Sequence, residues 1–249
     1  YWLNLDDPYI TYENKYIETV WHLLSRLYEK GLIYKGYTIQ PYSPAAGTGL
    51  STHELNQPGT YKMVKDNTVV AQFKVIRNPA SEFLFKDPFG DLYFLAWTTT
   101  PWTLPSNTGL AMGKEIIYVL VKTYNPYTFT EETVILAKEL LHHYFPEKNS
   151  QLELDSYHEG DKNIPYQVIA EYPGKTFENL RFEQLLPYAQ PEDGDPFRVV
   201  LGEFVTTEDG TGIVHIAPSF GADDFRVGKQ YGLGSLTLVN KQGKFTEQM

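Results

Sequence analysis

The sequence has no cysteine among its 249 residues. This absence excludes disulfides, thiolate zinc sites and a cysteine nucleophile, so any chemistry must use oxygen groups, histidine or water. The sequence also has no apolar run near the roughly 18 residues that span a bilayer, and no basic start followed by an apolar segment. We therefore expect a cytoplasmic protein without a membrane segment.

Positive charge is also scarce, because 21 Lys and Arg residues stand against 31 Asp and Glu residues, for a net charge of −10. This balance argues against broad nucleic-acid binding through phosphate neutralisation. It leaves open a domain that touches only the end of a nucleic acid whose body is held elsewhere. Such a domain is expected to bind weakly when isolated.

The most informative stretch is residues 97–107, Trp-Thr-Thr-Thr-Pro-Trp-Thr-Leu-Pro-Ser-Asn. It follows the hydrophobic run 92–96, which predicts a buried strand because it is short, rich in aromatic residues and preceded by turn residues. Threonine runs are also common in strands for packing reasons alone. The complete eleven-residue string is more specific than its threonines.

Two prolines restrain the backbone of this stretch. Pro101 biases Thr100 towards extended geometry, and Pro105 adds a second restraint soon afterwards. The result is a stiff turn at a strand end, able to line a site for a small polar ligand. The turn carries these hydroxyl and indole side chains: Thr98, Thr99, Thr100, Thr103, Trp97 and Trp102.

A second stretch of interest runs from Gly210 to Phe225. Residues 213–217 predict a strand that carries His215, and residues 222–233 predict a helix that ends at Gly232. The first turn of this helix holds Asp223 and Asp224. Taken from the residues alone, helix capping and dipole stabilisation are the preferred roles for these two carboxylates.

Hydrophobic periodicity indicates the remaining elements. An amphipathic helix is predicted over residues 13–30, ended by Gly31, and a short helix over residues 138–145. Further strands are predicted at residues 32–42, 67–76, 109–112, 116–122, 134–137, 166–171 and 197–205. Residues 146–161 are charged and polar and predict an exposed loop.

The string at residues 97–107 resembles the threonine-rich signature of the editing domains of isoleucyl-tRNA synthetases. The related valyl and leucyl enzymes carry Arg after two threonines, where this chain has Thr100, so the isoleucyl branch is favoured. Residues 210–218, followed by Gly221 and the pair Asp223 and Asp224, match the second editing signature of the family.

The resemblance implies a mixed α/β fold with a β-barrel-like editing domain and peripheral helices. Residues 1–50 would form a junction segment of helix and strand beside an absent synthetic core, and residues 51–249 the editing domain, truncated at its C-terminal end. Many family members place zinc-binding cysteines where this chain has Ser43 and Ala46. We therefore expect no metal site there.

The implied activity is hydrolysis of mischarged valyl-tRNA(Ile), with valyl-adenylate as a further substrate, by water and without a metal ion. Asp224 would hold the substrate α-ammonium by a charge-assisted hydrogen bond. The catalytic threonines would position the ester, the water or the terminal ribose. The resemblance makes the following residues catalytic or substrate-binding: Thr98, Thr99, Thr100 and Asp224 as catalytic, and Trp97, Trp102, Asn107, His215 and Asp223 as substrate-binding.

Selectivity is expected to follow from size. Isoleucyl-tRNA synthetase is the standard example of this limit: one methylene is worth only about 1–3 kcal/mol, so a second sieve must hydrolyse what is small enough to enter it. We expect His215 and Trp102 to make the pocket too short for isoleucine.

No His-Ile-Gly-His motif and no credible Lys-Met-Ser-Lys-Ser loop is present in the sequence. ATP, Mg²⁺ and isoleucine would belong to the synthetic site of a parent enzyme, and this chain is expected to need no cofactor. Its partner would be the 3′ acceptor end of tRNA(Ile) carrying valine, bound by a monomer away from any membrane. Two alternatives stay open: a valyl-type domain that acts on threonyl-tRNA(Val), and a tRNA-binding insertion that is inactive in isolation.

Overall fold

The computed structural model describes residues 4, 6, 8–36, 38–87, 89–247 and 249. The chain divides into two compact units, Tyr1–Thr38 and Ile39–Met249. Residues 39–50, which the sequence analysis assigned to a junction segment, therefore group with the larger unit. No helix among the described residues is long and apolar enough to cross a membrane.

The smaller unit consists mainly of helix α1 (Asn14–Glu29), which confirms the helix predicted over residues 13–30. No residue of α1 is buried, and large apolar side chains such as Leu23 and Leu24 remain exposed. The strand predicted over residues 32–42 is wrong, because among its described residues only Tyr42 is part of a strand.

The larger unit begins with a short hairpin of β1 (Tyr42–Ser43) and β2 (Thr48–Gly49), followed by α2 (Thr52–Leu55). The Ser43 hydroxyl accepts a hydrogen bond from the Ala46 amide at 3.2 Å, so both residues take part in the turn of the hairpin.

Eight further strands and two helices follow. The strands are β3 (Val69–Lys74), β4 (Asp91–Thr98), β5 (Gly109–Met112), β6 (Ile117–Tyr124), β7 (Glu131–Ala137), β8 (Gln167–Pro173), β9 (Arg198–Leu201) and β10 (Ile213–Ile216). The helices are α3 (Leu141–Tyr144) and α4 (Ala222–Tyr231). Each of these strands lies within or overlaps a predicted strand. The predicted helix over residues 138–145 is a 3₁₀ turn (Lys138–Leu140) continued by α3.

Two sheets organise these strands. A five-stranded sheet has the order β3-β4-β7-β6-β8 and a three-stranded sheet the order β10-β5-β9. The pairs β4–β7 and β5–β9 are parallel, and the other pairs are antiparallel. The prediction of a mixed α/β fold is confirmed.

The main core lies between the two sheets and includes Phe73, Phe94, Ile135, Leu110 and Ile213. A second apolar cluster covers the other face of the five-stranded sheet, which we call the outer face. Because successive side chains of a strand point to opposite faces, neighbours along β4 enter different layers: Phe94 lies in the main core and Leu95 in the outer cluster.

Isolated contacts join the edges of the two sheets. The segment around Phe182 bridges β3 and β9, through Val75 to Phe182 and Arg181 to Arg198. At another edge the Ala137 amide donates to the Thr211 carbonyl at 2.8 Å. Among the described residues these contacts link the sheets without merging them into one continuously hydrogen-bonded barrel.

Candidate functional site

The threonine stretch forms a turn at the end of β4. Strand pairing stops at Thr98, and a 3₁₀ segment (Pro101–Ser106) begins with proline at its first position, where a missing amide costs nothing. Thr100 has φ −124° and ψ 66°, so its ψ is lower than the extended value that a following proline favours. The lower ψ lets the Thr103 amide reach the Thr100 carbonyl at 3.0 Å.

A chain of hydroxyls runs through this turn. The Thr98 Oγ1 accepts from the Thr100 amide at 3.0 Å and lies 3.3 Å from the Thr100 Oγ1. The Thr100 Oγ1 lies 3.4 Å from the Thr103 Oγ1. Residues three apart in a 3₁₀ segment eclipse one another, which explains the second approach. Thr99 is exposed and takes no part in these hydroxyl contacts.

The hydroxyl chain ends on His215 of β10. The Thr103 Oγ1 lies 3.0 Å from the His215 Nε2, and the same hydroxyl donates its proton to the Thr100 carbonyl at 2.7 Å. Since a threonine hydroxyl has one proton, we assign the His215 Nε2 as the donor to Thr103. The other ring nitrogen, Nδ1, is buried and has no hydrogen-bond partner among the described residues.

Burial determines the charge of His215. The residue is only 7% exposed, and this burial lowers the pKa of its imidazole from the ordinary 6.5 to about 4. The ring is therefore neutral near neutral pH and is a weak base. The buried, neutral ring suits a hydrogen-bonding role and not the removal of protons.

The two carboxylates at the start of α4 point in different directions. Asp224 is half-buried and its Oδ2 accepts from the Ala217 amide at 3.1 Å. Burial raises the pKa of Asp224, the Ala217 hydrogen bond opposes this shift, and the nearby Asp223 adds to it. Asp223 is exposed and forms an ion pair with Arg226 at 2.8 Å. Only Asp224 is directed at the loop that follows His215.

Aromatic rings connect that loop to the threonine turn. Trp102 and Phe220 meet edge to face with ring centroids 5.1 Å apart. Trp102 is 49% exposed, so the pair forms a partly open wall. Three contacts thus gather the predicted residues around the end of β10: Thr103 with His215, Trp102 with Phe220, and Asp224 with Ala217.

Asn107 is buried at the start of β5. Its Nδ2 donates to the Gly109 carbonyl at 2.8 Å, while its Oδ1 is buried and without a partner in the described part of the chain. The amide group therefore supports the strand end and leaves one acceptor unused.

Trp97, expected from the resemblance to bind substrate, lies apart from the other predicted site residues. It precedes Thr98 on β4, and strand alternation sends its ring to the outer face. There it approaches Gly210, where φ is +74° and an added Cβ would lie 2.9 Å from the ring. We do not include Trp97 among the residues of the site.

Two residues matter more than their sequence pattern suggested. Thr103 carries the contact between the threonine turn and His215, and the spacing of three from Thr100 is its only sequence signal. Phe220, which is not among the predicted site residues, packs edge to face on Trp102. Across the described ranges, no group of three or more His, Asp or Glu side chains is arranged to hold a metal ion.

Comparison with known proteins gives a consistent result at the sequence level. A model of the class I tRNA synthetases (I, L, M and V) matches residues 1–209. Isoleucine–tRNA ligase of Cytophaga hutchinsonii is 58% identical over 100% of this chain, and that of Bacteroides fragilis is 60% identical over 98%. The chain spans only 23% and 21% of the length of these two relatives.

Among solved structures, the P. knowlesi cytosolic leucyl-tRNA synthetase editing domain is similar with a TM-score of 0.46 and 14% identity. The similarity covers 66% of this chain and 62% of that structure.

Proposed function

The chain belongs to the class I tRNA synthetases of the isoleucine, leucine, methionine and valine group, and on that premise we propose that it is the editing part of an isoleucyl-tRNA synthetase. In this proposal it hydrolyses valyl-tRNA(Ile), with valyl-adenylate as a further substrate. The observation that carries the proposal is the hydroxyl chain from Thr98 to His215, with Asp224 held beside the same strand end.

Asp224 is the proposed anchor for the substrate α-ammonium. One of its oxygens accepts from the Ala217 amide, which fixes the side chain, and the second oxygen has no hydrogen-bond donor among the residues that the structure describes. Burial disfavours the charged form of Asp224 because the carboxylate is poorly hydrated. An arriving ammonium group would replace the missing hydration with a charge-assisted hydrogen bond. This arrangement favours a substrate with a free amino group.

The threonines are proposed to position the ester, the ribose and the attacking water. Their unperturbed hydroxyls are poor bases and His215 is a weak one, so a nucleophile activated by histidine is not part of the proposal. An aminoacyl ester is activated enough that a held water and stabilisation of the oxyanion suffice. A substrate ribose hydroxyl is the proposed partner in proton transfer.

His215 and Trp102 are the proposed size sieve. The neutral imidazole is fixed by Thr103, and the Trp102 ring is supported by Phe220. A wall held in this way resists the displacement that one extra methylene demands. Exclusion of isoleucine by this wall is steric, so it is not limited to the roughly 1–3 kcal/mol that burial of one methylene supplies.

The first experiment measures deacylation of valyl-tRNA(Ile) by this chain, beside isoleucyl-tRNA(Ile), threonyl-tRNA(Val) and the variant Asp224→Ala. We expect selective loss of valine that disappears in the variant. Preference for threonyl-tRNA(Val) would assign the chain to the valyl type. Absence of hydrolysis at high protein concentration would leave a tRNA-binding insertion that needs its parent enzyme.

A second experiment tests the sieve. In His215→Ala the pocket is longer, so isoleucyl-tRNA(Ile) should become a substrate while valyl-tRNA(Ile) is still hydrolysed. Phe145, which packs against the apolar cluster on the outer face, offers a control in Phe145→Leu, which should keep the wild-type preference. The sieve proposal fails if His215→Ala leaves isoleucyl-tRNA(Ile) intact.

A further inference from the structure

A cleft with a volume of about 990 Å³ lies on the outer face of the five-stranded sheet. Its walls include the aromatic side chains of Tyr93, Trp97 and Tyr124, and its polar groups include Gln72 and Glu132. Trp97 and Thr98 are adjacent on β4 and point to opposite faces, so this cleft is separate from the threonine site.

Glu132 is a carboxylate buried in the wall of this cleft, with 4% exposure. The Gln72 Nε2 donates to both of its oxygens, at 3.0 and 2.9 Å, and the Asn125 Nδ2 donates to Oε2 at 3.1 Å. In the part of the chain that the structure describes, the ion pairs involve other carboxylates, such as Asp87 and Asp91. Glu132 therefore has amide partners and no cation.

Burial of the Glu132 carboxylate without a cation costs free energy. A buried carboxylate is normally paired with a cation, and hydrogen bonds from neutral amides compensate its lost hydration only in part. Burial accordingly raises the pKa of Glu132, while the bonds from Asn125 and Gln72 oppose the shift. A positively charged group delivered to the cleft would remove most of this cost.

The amides hold the carboxylate ready for such a group. The Asn125 Oδ1 accepts from the amides of Tyr127 and Thr128 at 2.9 and 3.1 Å, so the turn fixes the Asn125 side chain. Its Nδ2 also donates to Gln72 at 3.2 Å. The Glu132 Oε1 receives one hydrogen bond, shared with Oε2, and retains capacity to accept another.

The remaining walls suit the rest of an organic cation. Aromatic faces attract ammonium groups, most strongly when water is excluded, and Leu95 and Val134 offer apolar surface for an alkyl stem. Lys162 also lines the cleft, and it is exposed and forms no ion pair with Glu132. A ligand with a phosphate or carboxylate group would be repelled by the negative charge of Glu132.

We propose that this cleft binds a small free alkylammonium ion, with the ammonium group on Glu132 and the alkyl stem against the aromatic and aliphatic walls. The site is independent of the proposed editing reaction, since none of its residues takes part in that chemistry.

Calorimetric titration of the intact chain with n-butylammonium chloride tests this proposal, with 1-butanol as the uncharged counterpart of equal size. We expect saturable binding of the ammonium ion and at least roughly tenfold weaker binding of the alcohol, since a charge-assisted hydrogen bond is about twice as strong as a neutral one. Equal binding of both compounds, or no saturable binding of the ammonium ion, would overturn the proposal. This comparison needs no variant.

Two variants locate the site. Glu132→Gln should weaken n-butylammonium binding by about tenfold or more. Glu131→Gln, which removes the same charge from an exposed neighbour on β7, should change the affinity by less than about twofold. Circular dichroism checks that both variants fold. If folded Glu132→Gln retains the wild-type affinity, the carboxylate is not the binding group and the proposal is wrong.

Discussion

Two carboxylates that are shielded from water, Asp224 of α4 and Glu132 of β7, are held by different hydrogen-bond donors. Near the end of β10, one oxygen of Asp224 accepts from the Ala217 backbone amide, while His215 of that strand contacts the threonine hydroxyls. At the outer face, Glu132 is held by two side-chain amides. Burial raises the pKa of both carboxyl groups.

The difference lies in how each region is assembled. The region around Asp224 comes from two short sequence strings, one at the end of β4 and one from β10 into α4. The outer cleft is assembled from side chains on separate strands and a turn. A carboxylate can thus be fixed by neutral hydrogen-bond donors within a recognisable motif, as at Asp224, or without one, as at Glu132. Four predictions test the roles proposed for these two regions.

The largest expected effect concerns His215 and protein stability. Its pKa is about 4 in the folded chain and 6.5 ordinarily, so below pH 6.5 the unfolded chain binds more protons. The contribution of His215 to the free energy of unfolding is fully present above pH 6.5. It decreases as pH falls towards 4, by up to about 3 kcal/mol. His215→Gln should remove that part of the loss, measured by urea denaturation at both ends of this range.

A matched substitution makes the stability measurement specific. His22→Gln replaces an exposed histidine on α1 and should keep the wild-type dependence on pH. If His215→Gln loses as much stability as the wild-type chain between pH 6.5 and 4, burial of His215 is not the source of the dependence.

The next effect concerns the two acids of α4. Asp224→Asn removes the charge proposed to hold the substrate ammonium, a hydrogen bond worth about 1.5–3 kcal/mol, so kcat/KM for valyl-tRNA(Ile) should fall by roughly 10- to 100-fold. Asp223→Asn affects a side chain that points to solvent and pairs with Arg226, and its effect should be below about twofold. Equal losses in the two variants would contradict the assignment to Asp224 alone.

A smaller effect, of opposite sign to that of His215, is expected from Glu132. Its folded pKa is raised, so its contribution favours the folded chain at low pH and is lost as pH rises through the raised pKa. Glu132→Gln should remove this decrease, while Glu131→Gln should retain it. The change should be smaller than for His215, because the amides oppose the effect of burial. An unchanged pH dependence in Glu132→Gln would show that the carboxylate is well solvated.

The smallest effect separates the threonines. Thr100→Val removes one member of the hydroxyl chain, and a typical hydrogen bond is worth about 0.5–1.5 kcal/mol, so deacylation should slow by a few fold. Thr99 and Thr100 are both exposed, but Thr99 lies outside the hydroxyl chain, so Thr99→Val should have less effect than Thr100→Val. A larger loss in Thr99→Val would mean that the exposed hydroxyl contacts the substrate directly.

The sequence by itself determined the local elements of the larger unit. Hydrophobic segments of strand length located β3 to β10: β3 alternates between buried and partly exposed positions, whereas β5 and β7 are continuous buried runs because both of their faces are covered. Gly232 ended α4 because glycine adopts a left-handed φ, here 62°, at little cost. The two strings also located most of the candidate site, since each holds its side chains close together within one turn.

Only the tertiary structure decided what meets across the chain. Thr103 and His215 are 112 positions apart, and their contact depends on how the two sheets pack. Which face of each element packs against the core decides two further features. Trp97 and Thr98 point to opposite faces of β4, and Asp223 faces solvent while Asp224 faces inward. The Glu132 cleft has no local pattern, because strand order and register alone bring Gln72 and Glu132 together. Local rules act over a few residues, whereas these contacts arise only when distant strands are fixed relative to one another.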